Sequence, residues 1–254
     1  MKLIDIINKQ LEEGVNDPGI FKAIFLAGGP GSGKSFVAGE IMGIPKNLSF
    51  SVDGLKIINS DPEFEYFLKK QGVDPSSLGQ LSDKEFEKVT VGPDSPREKA
   101  KTIKKAKEKL YIQGRLGLLI DGTGDDYAKI KKKRQELIKY GYDTYMIFIN
   151  TTIEVAQERN KTRDRVLPEK MVKEIWTAVQ KNLGRFQGLF KQNFIIIDNT
   201  EKKVAKREND NRLFEKHIYM AIKRFMRNPI KSGIAKTWIK QQGGQVAGVQ
   251  GGRR

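Results

Sequence analysis

The chain has 254 residues, 38% of them hydrophobic, and its 47 Lys and Arg against 31 Asp and Glu give a formal net charge of +16; that is enough chain for one α/β core with appendages. With no cysteine and a single histidine, His217, disulfides, thiolate metal sites and His-rich zinc sites are excluded, and any metal must be held by oxygen ligands. No run approaches the ~20 apolar residues of a membrane span, and Asp5, Asn8 and Lys9 break the apolar start, so the sequence reads as a cytoplasmic protein without a signal peptide or membrane partner.

Leu3, Ile4, Ile6, Ile7 and Leu11 have helical spacing and predict an amphipathic helix, broken by residues 14–19. Residues 21–26 read as a short buried strand running into a glycine loop, with a helix over 35–42 after it. Residues 48–52 read as an edge strand or loop, and 55–59 as the second core strand. Asp61 follows that strand and opens a helix whose Phe64, Phe67 and Leu68 share a face. Residues 72–94 carry scattered Pro, Gly, Ser and Asp, and read as a substrate-side insertion with one short helix over 84–88. Ser95 and Pro96 supply an N-cap and a first helical residue for a basic helix to Gln113. A third strand, 116–120, ends in Asp121-Gly122-Thr123-Gly124; a helix over 126–140, a strand over 144–149 and a helix over 154–161 follow. Residues 169–190 form a long helix or helix pair, and 194–197 the last strand.

Strands alternating with helices predict an α/β fold, a mostly parallel five-stranded sheet flanked by helices, within a domain spanning 1–200. Residues 201–240 read as a basic helical extension, with 201–212 a charged loop and 213–226 an amphipathic helix, and the Gly- and Gln-rich 241–254 as a disordered tail. No acid occurs from Lys216 to Arg254, so this extension is either a solubilising arm or a nucleic-acid-binding segment. The lysine-rich helix after Pro96 has no aromatic residue until Tyr111, which argues against stacking on single strands and leaves an electrostatic phosphate track. His217 reads as a surface residue, and Trp176 and Trp238 as anchors of the core and the tail.

The loop Gly28-Gly29-Pro30-Gly31-Ser32-Gly33-Lys34-Ser35 meets the pattern G-x-x-x-x-G-K-[ST]. Its glycines let successive N–H groups curl around phosphate oxygens at a helix start. Lys34 is expected on the β- and γ-phosphates of ATP and the Ser35 hydroxyl on Mg²⁺. Asp61 is the candidate general base, with helix capping before Pro62 as the alternative. Asp121 ends an apolar strand, as an acid that ligates Mg²⁺ directly or through water does, or else is a turn aspartate; Asp125 and Asp126 read as helix-start residues. Arg159, Arg163 and Arg165 form a candidate lid over ATP, or a solvated helix end. An arginine finger worth ~10³ to 10⁵ in rate supplies ~4 to 7 kcal/mol, far above the ~0 to 1 of a surface ion pair.

Taken in order, the glycine loop, Ile-Asn-Ser-Asp at 58–61, Asp-Gly-Thr-Gly at 121–124 and the arginines of 159–165 resemble the P-loop kinases of the zeta-toxin and polynucleotide-kinase type, most narrowly the zeta-toxin-like kinases of tailed phages. The resemblance covers about residues 22–199. It implies a kinase that moves the γ-phosphate of ATP, with Mg²⁺, to a hydroxyl of a small molecule, nucleotide-sugar or nucleic-acid end. It also implies Asp61 as catalytic base and Arg159, Arg163 and Arg165 on the ATP phosphates, in the cytoplasm of a host cell for a phage protein. Asp121 stands where zeta toxins usually have Glu. The alternative function is a nucleic-acid-binding ATPase or regulator that uses the basic tail.

Overall fold

The computed structural model describes residues 14–36, 38–39, 54–163, 166–200 and 219–244. The expected helix over 3–11, the patch 48–52, Arg165, the stretch 201–212 and residues 245–254 lie outside these, as does most of the expected helix beyond Phe36.

Five apolar runs form strands β1 (Lys22–Ala27), β2 (Lys56–Ile58), β3 (Leu118–Asp121), β4 (Asp143–Asn150) and β5 (Phe194–Asp198). They make one sheet in the order β2-β3-β1-β4-β5, every neighbouring pair parallel. The sheet is thus wholly parallel, and all five carboxyl ends meet one edge, where ligands of such sheets collect. Every residue of β1 is buried, as the central strand of a sheet covered on both faces requires.

Side chains alternate between the faces. Ala23, Phe25 and Ala27 join Met146, Phe148, Val179 and Phe186 on one face, while Ile24 and Leu26 join Leu119, Ile147, Ile149 and Ile197 on the other. Burial of each large apolar side chain stabilises by ~1.5–3 kcal/mol, so the two clusters hold the sheet edge rigid beneath the loops it carries.

The helices are α1 (Lys34–Phe36), α2 (Asp61–Lys70), α3 (Asp83–Thr90), α4 (Pro96–Gln113), α5 (Tyr127–Lys139), α6 (Ile153–Lys161) and α7 (Glu169–Phe190). Residues 219–227 form α8, and Gly233–Gln241 form α9. The run 169–190 is one unbroken helix. Residues 72–94 are more ordered than their composition predicts: Asp74 caps a 3₁₀ helix, Pro75–Gln80, and Ser82 with Glu85 makes a capping box for α3. This segment packs Leu78 and Val89 on Phe64, Leu68 and Ala100, a third cluster that joins α2 to α4.

The basic carboxyl-terminal helices are built onto the core. Ile222 and Phe225 of α8 are buried against one face of the sheet, and Ala235 and Ile239 of α9 against the other. Trp238 meets Phe21 edge to face at 5.5 Å. Lys22 Nζ, buried beneath them, donates to Asp143 Oδ2 at 2.7 Å and to the Asn228 carbonyl at 2.8 Å. Among the described residues no helix is long and apolar enough to cross a membrane.

Candidate active site

The glycine loop leaves β1 at the centre of the carboxyl edge and is fixed from three directions. Toward β3, Gly28 N–H donates to the Thr123 carbonyl and Gly122 N–H to the Leu26 carbonyl, both at 3.0 Å. Those bonds extend the register that pairs Leu26 with Asp121. Asp121 therefore stands beside the loop because two strands are in register, without help from its own side chain.

Toward β4, the loop lies on α6. Gly31 has φ +75°, and a Cβ there would stand 2.9 Å from both the carbonyl carbon and the Cα of Ala156. Only glycine fits a left-handed position pressed on another backbone. Arg159, three residues further along α6, brings NH1 to 3.5 Å from the Gly31 carbonyl. Toward β5, Asn199 donates Nδ2 to the Ser32 carbonyl at 2.8 Å and presses on Gly33, at φ +96°. Lys34 folds back over the loop, its Nζ 2.6 Å from the Gly28 carbonyl and 3.2 Å from that of Gly29, and Ser35 is exposed. Gly29 and Pro30 are buried, as is Ser32, whose Oγ has no hydrogen-bond partner among the described residues. Trp176, read as a core anchor, backs Gly29 and donates Nε1 to the Thr151 carbonyl at 2.8 Å.

The two acids are linked by Asn59, which stands in the motif at 58–61 without a role assigned to it there. Asn59 donates Nδ2 to Asp121 Oδ2 at 3.0 Å and accepts the Asp61 N–H on Oδ1 at 2.9 Å, so one amide clamps the ends of β2 and β3 together. Asp61 is the first residue of α2, and the N-cap position belongs to Ser60, whose side chain makes no capping hydrogen bond. Asp61 thus stands one position past the N-cap that the capping alternative expected for it. Its Oδ1 instead faces Arg97 NH1 at 3.4 Å, and Arg97 lies over the Phe64 ring. Both side chains are one-third exposed, so this pair is worth only ~0–1 kcal/mol and can be exchanged.

Asp121 is a perturbed acid at this edge. Burial raises its carboxyl above the usual carboxylate range, with Lys34 opposing the shift and Asp61 adding to it. Arg163, half-buried, also acts on Asp121 to favour its charged form, and burial lowers Arg159 from its ordinary value. Arg159 and Arg163 thus stand at the loop and within the field of Asp121 respectively. Lys104 of α4 is likewise lowered by burial, opposed by Glu108 and Asp121.

The oxygen donors fit a Mg²⁺ ion. Asp121 Oδ1 is buried with no hydrogen-bond partner among the described residues, an acceptor left open beside Lys34. Among those residues no cluster of three or more His, Cys, Asp or Glu forms a metal cage. Mg²⁺ ordinarily takes one or two protein ligands, completing its shell with phosphates and water.

Asn59, Arg97, Lys104, Ala156 and Asn199 were not singled out as site residues from the sequence. Asn59 carried a signal, as a polar residue between an apolar strand and Asp61, and Lys104 did as part of the lysine-rich helix read as a phosphate track; the others reach the edge from helices and from the end of β5, far away in the chain.

No protein-family model matches the sequence, and no curated protein matches it significantly. Among solved structures, the chain is similar to AvrRxo1-ORF1:-ORF2 with ATP at 12% identity and a TM-score of 0.47, covering 78% of this chain and 62% of that one. This chain therefore spans less than two thirds of that neighbour. It is similar to a structure from the PezAT chromosomal toxin-antitoxin system of Streptococcus pneumoniae at 16% identity and a TM-score of 0.46, covering 88% and 94% of the two chains. A gluconokinase from Sinorhizobium meliloti 1021 is similar at 15% identity and a TM-score of 0.44, covering 82% and 95%.

Proposed function

We propose that this chain is an ATP-dependent phosphotransferase, a P-loop kinase that moves the γ-phosphate to a hydroxyl. One observation carries the reading: the glycine loop, Asp121 and the Asp61 segment, from three separate strands, are bonded into one unit through Gly28 to Thr123, Asn59 to Asp121 and Asn59 to Asp61. A loop that merely turned the chain would need no acid clamped beside it.

In this reading the backbone of Gly28 to Ser35 cradles the phosphates, and Lys34 leaves the carbonyls of Gly28 and Gly29 for the β- and γ-phosphates. Asp121 and Ser35 would hold Mg²⁺, which when bound neutralises charge on the phosphate oxygens. Asp61 accepts the proton of the acceptor hydroxyl, and Arg159 and Arg163, with Arg165, neutralise the transferring group. The test is transfer of label from γ-labelled ATP to DNA and RNA 5′-hydroxyls, nucleosides and UDP-sugars. Transfer that Asp61→Asn abolishes supports the reading; no transfer to any acceptor counts against it.

A second reading, a nucleic-acid-dependent ATPase, is favoured by the exposed basic residues of the carboxyl-terminal helices: Arg224 and Arg227 on α8, Lys231 after it, and Lys236 and Lys240 on α9. ATP hydrolysis that requires DNA or RNA, and is lost when these five residues become Glu, is the outcome that would select it.

A further inference from the structure

We propose that the hydroxyl acceptor is itself an anion, and that Arg97 and Lys104 of α4 hold its negatively charged group next to Asp61. This rests on the kinase reading above. The two cations are seven residues apart and so lie on one face of the helix. That face runs along the carboxyl ends of β2 and β3, since Arg97 meets Asp61 and Lys104 lies within the field of Asp121.

Of the cations assigned to ATP, Arg159 braces the loop from the β4 side, while Lys34 and Arg163 share the field of Asp121 with Lys104; Arg97 alone meets Asp61 at the end of β2. A phosphate donor on the loop leaves the end of β2 for the acceptor.

The other cations of α4 are already accounted for. Lys99, Lys101 and Lys107 have acid partners in Asp94, Glu98 and Glu63, and Lys105 and Lys109 are exposed to water. Lys104 is half-buried, with no hydrogen bond or ion pair among the described residues. Glu108 and Asp121 oppose the effect of its burial without pairing with it, and an anion held directly on Nζ would offset the rest of that cost. Arg97 spends NH1 on Asp61 and keeps the rest of a fork suited to phosphate or carboxylate.

The contact between Arg97 and Asp61 also occupies Oδ1, one of the two oxygens of the carboxylate that takes the acceptor's proton. An anionic acceptor draws the guanidinium to its own charge and releases that oxygen. The hydroxyl proton then passes to Asp61, the acceptor oxygen bonds the γ-phosphorus, the bond from that phosphorus to the β,γ-bridging oxygen breaks, and ADP leaves. A neutral acceptor leaves Arg97 on Asp61.

Two measurements test this. In the first, inorganic phosphate is titrated into protein saturated with AMP-PNP and Mg²⁺, and thermal unfolding is followed. Wild type should gain a further upward shift, while Arg97→Lys and Lys104→Met should weaken the phosphate affinity about tenfold or more. No phosphate shift in wild type, or an equal one in both variants, overturns the proposal. Failure of AMP-PNP itself to shift wild type counts against the donor-site reading, and the phosphate shift and its loss in the variants are then read without nucleotide. In the second, transfer is compared across matched acceptors: nucleosides against nucleoside 3′-monophosphates and 5′-hydroxyl dinucleotides, and sugar alcohols against sugar acids. Anionic members should lead by about tenfold or more, with Arg97→Ala raising their KM and sparing that for ATP. The phosphate and carboxylate arms show which anion is taken. Equal use of neutral partners overturns the proposal while leaving the kinase reading intact.

Discussion

Gly31→Ala separates a loop whose shape α6 imposes from one that merely happens to contain glycine. The new Cβ would stand 2.9 Å from the Ala156 Cα and carbonyl carbon, against the ~3.5–4.0 Å of an ordinary carbon contact. The loop or the helix must therefore move by about 0.6 Å or more. An L-residue at this φ costs ~1–2 kcal/mol, and forcing an extra carbon into a packed site costs ~1–3. The expected destabilisation is ~2–5 kcal/mol, and at about 3 kcal/mol Tm falls by roughly 6–12 °C in a chain of this size. Because the loop cannot keep its curl, ATP affinity should fall with it. Gly33→Ala provides the contrast, since its Cβ meets the side-chain amide of Asn199. Asn199→Ala should partly rescue Gly33→Ala, whereas Ala156→Gly should not rescue Gly31→Ala, whose obstacle includes the backbone carbonyl. Denaturant unfolding and ATP titration of the four variants decide the matter. A Gly31→Ala protein within ~0.5 kcal/mol of wild type, with unchanged ATP affinity, would refute the packing described for the loop.

Asp61→Asn should lower turnover by ~10²–10⁴ while leaving MgATP affinity close to wild type, as removal of a base requires; an equal loss of nucleotide affinity would point to a structural role instead. Asp121→Asn should stabilise the protein in EDTA. An acid whose folded pKa is raised favours the fold in its protonated form, so stability falls as pH rises from below the ordinary carboxylate range through the raised value. The Asn variant escapes that loss and keeps an oxygen for Asn59, yet it should lose Mg²⁺-dependent activity. Unfolding curves with pH, for both proteins, check the sign. Truncation after Asn228 removes the buried Ala235 and Ile239 and the ring of Trp238 from Phe21; it should cost at least ~3 kcal/mol, whereas Glu at the five exposed basic positions of α8, α9 and their link should leave the unfolding midpoint within a few degrees.

The sheet was legible because its strands are short apolar runs with glycine or an acid at their ends, and each observed boundary falls within two residues of its expectation. The loop and the two acids were legible because their meaning is local: a glycine spacing, and an acid at the end of a strand. What brings them together is not local. Arg97 reaches Asp61 across 36 positions and Asn199 reaches Ser32 across 167, and neither contact leaves a periodic trace. In residues 72–94 the short helix expected over 84–88 is present as α3, which the capping box of Ser82 with Glu85 starts, whereas the 3₁₀ helix Pro75–Gln80 was hidden by its Pro, Ser and Gly. In the basic extension an amphipathic helix over 213–226 and Trp238 as an anchor were legible, but not that Ile222 and Phe225 would pack on one face of the sheet and Ala235 and Ile239 on the other.

The central claim is that the γ-phosphate is transferred and not merely released. The most direct measurement counts, in one reaction with an accepted hydroxyl compound, the ADP formed, the label in the acceptor and the free phosphate. Nearly all the label should reside in the acceptor, one group for each ADP, and both products should fall together in Asp61→Asn. Free phosphate matching the ADP whatever the acceptor, at a rate that Asp61→Asn leaves unchanged, would contradict it.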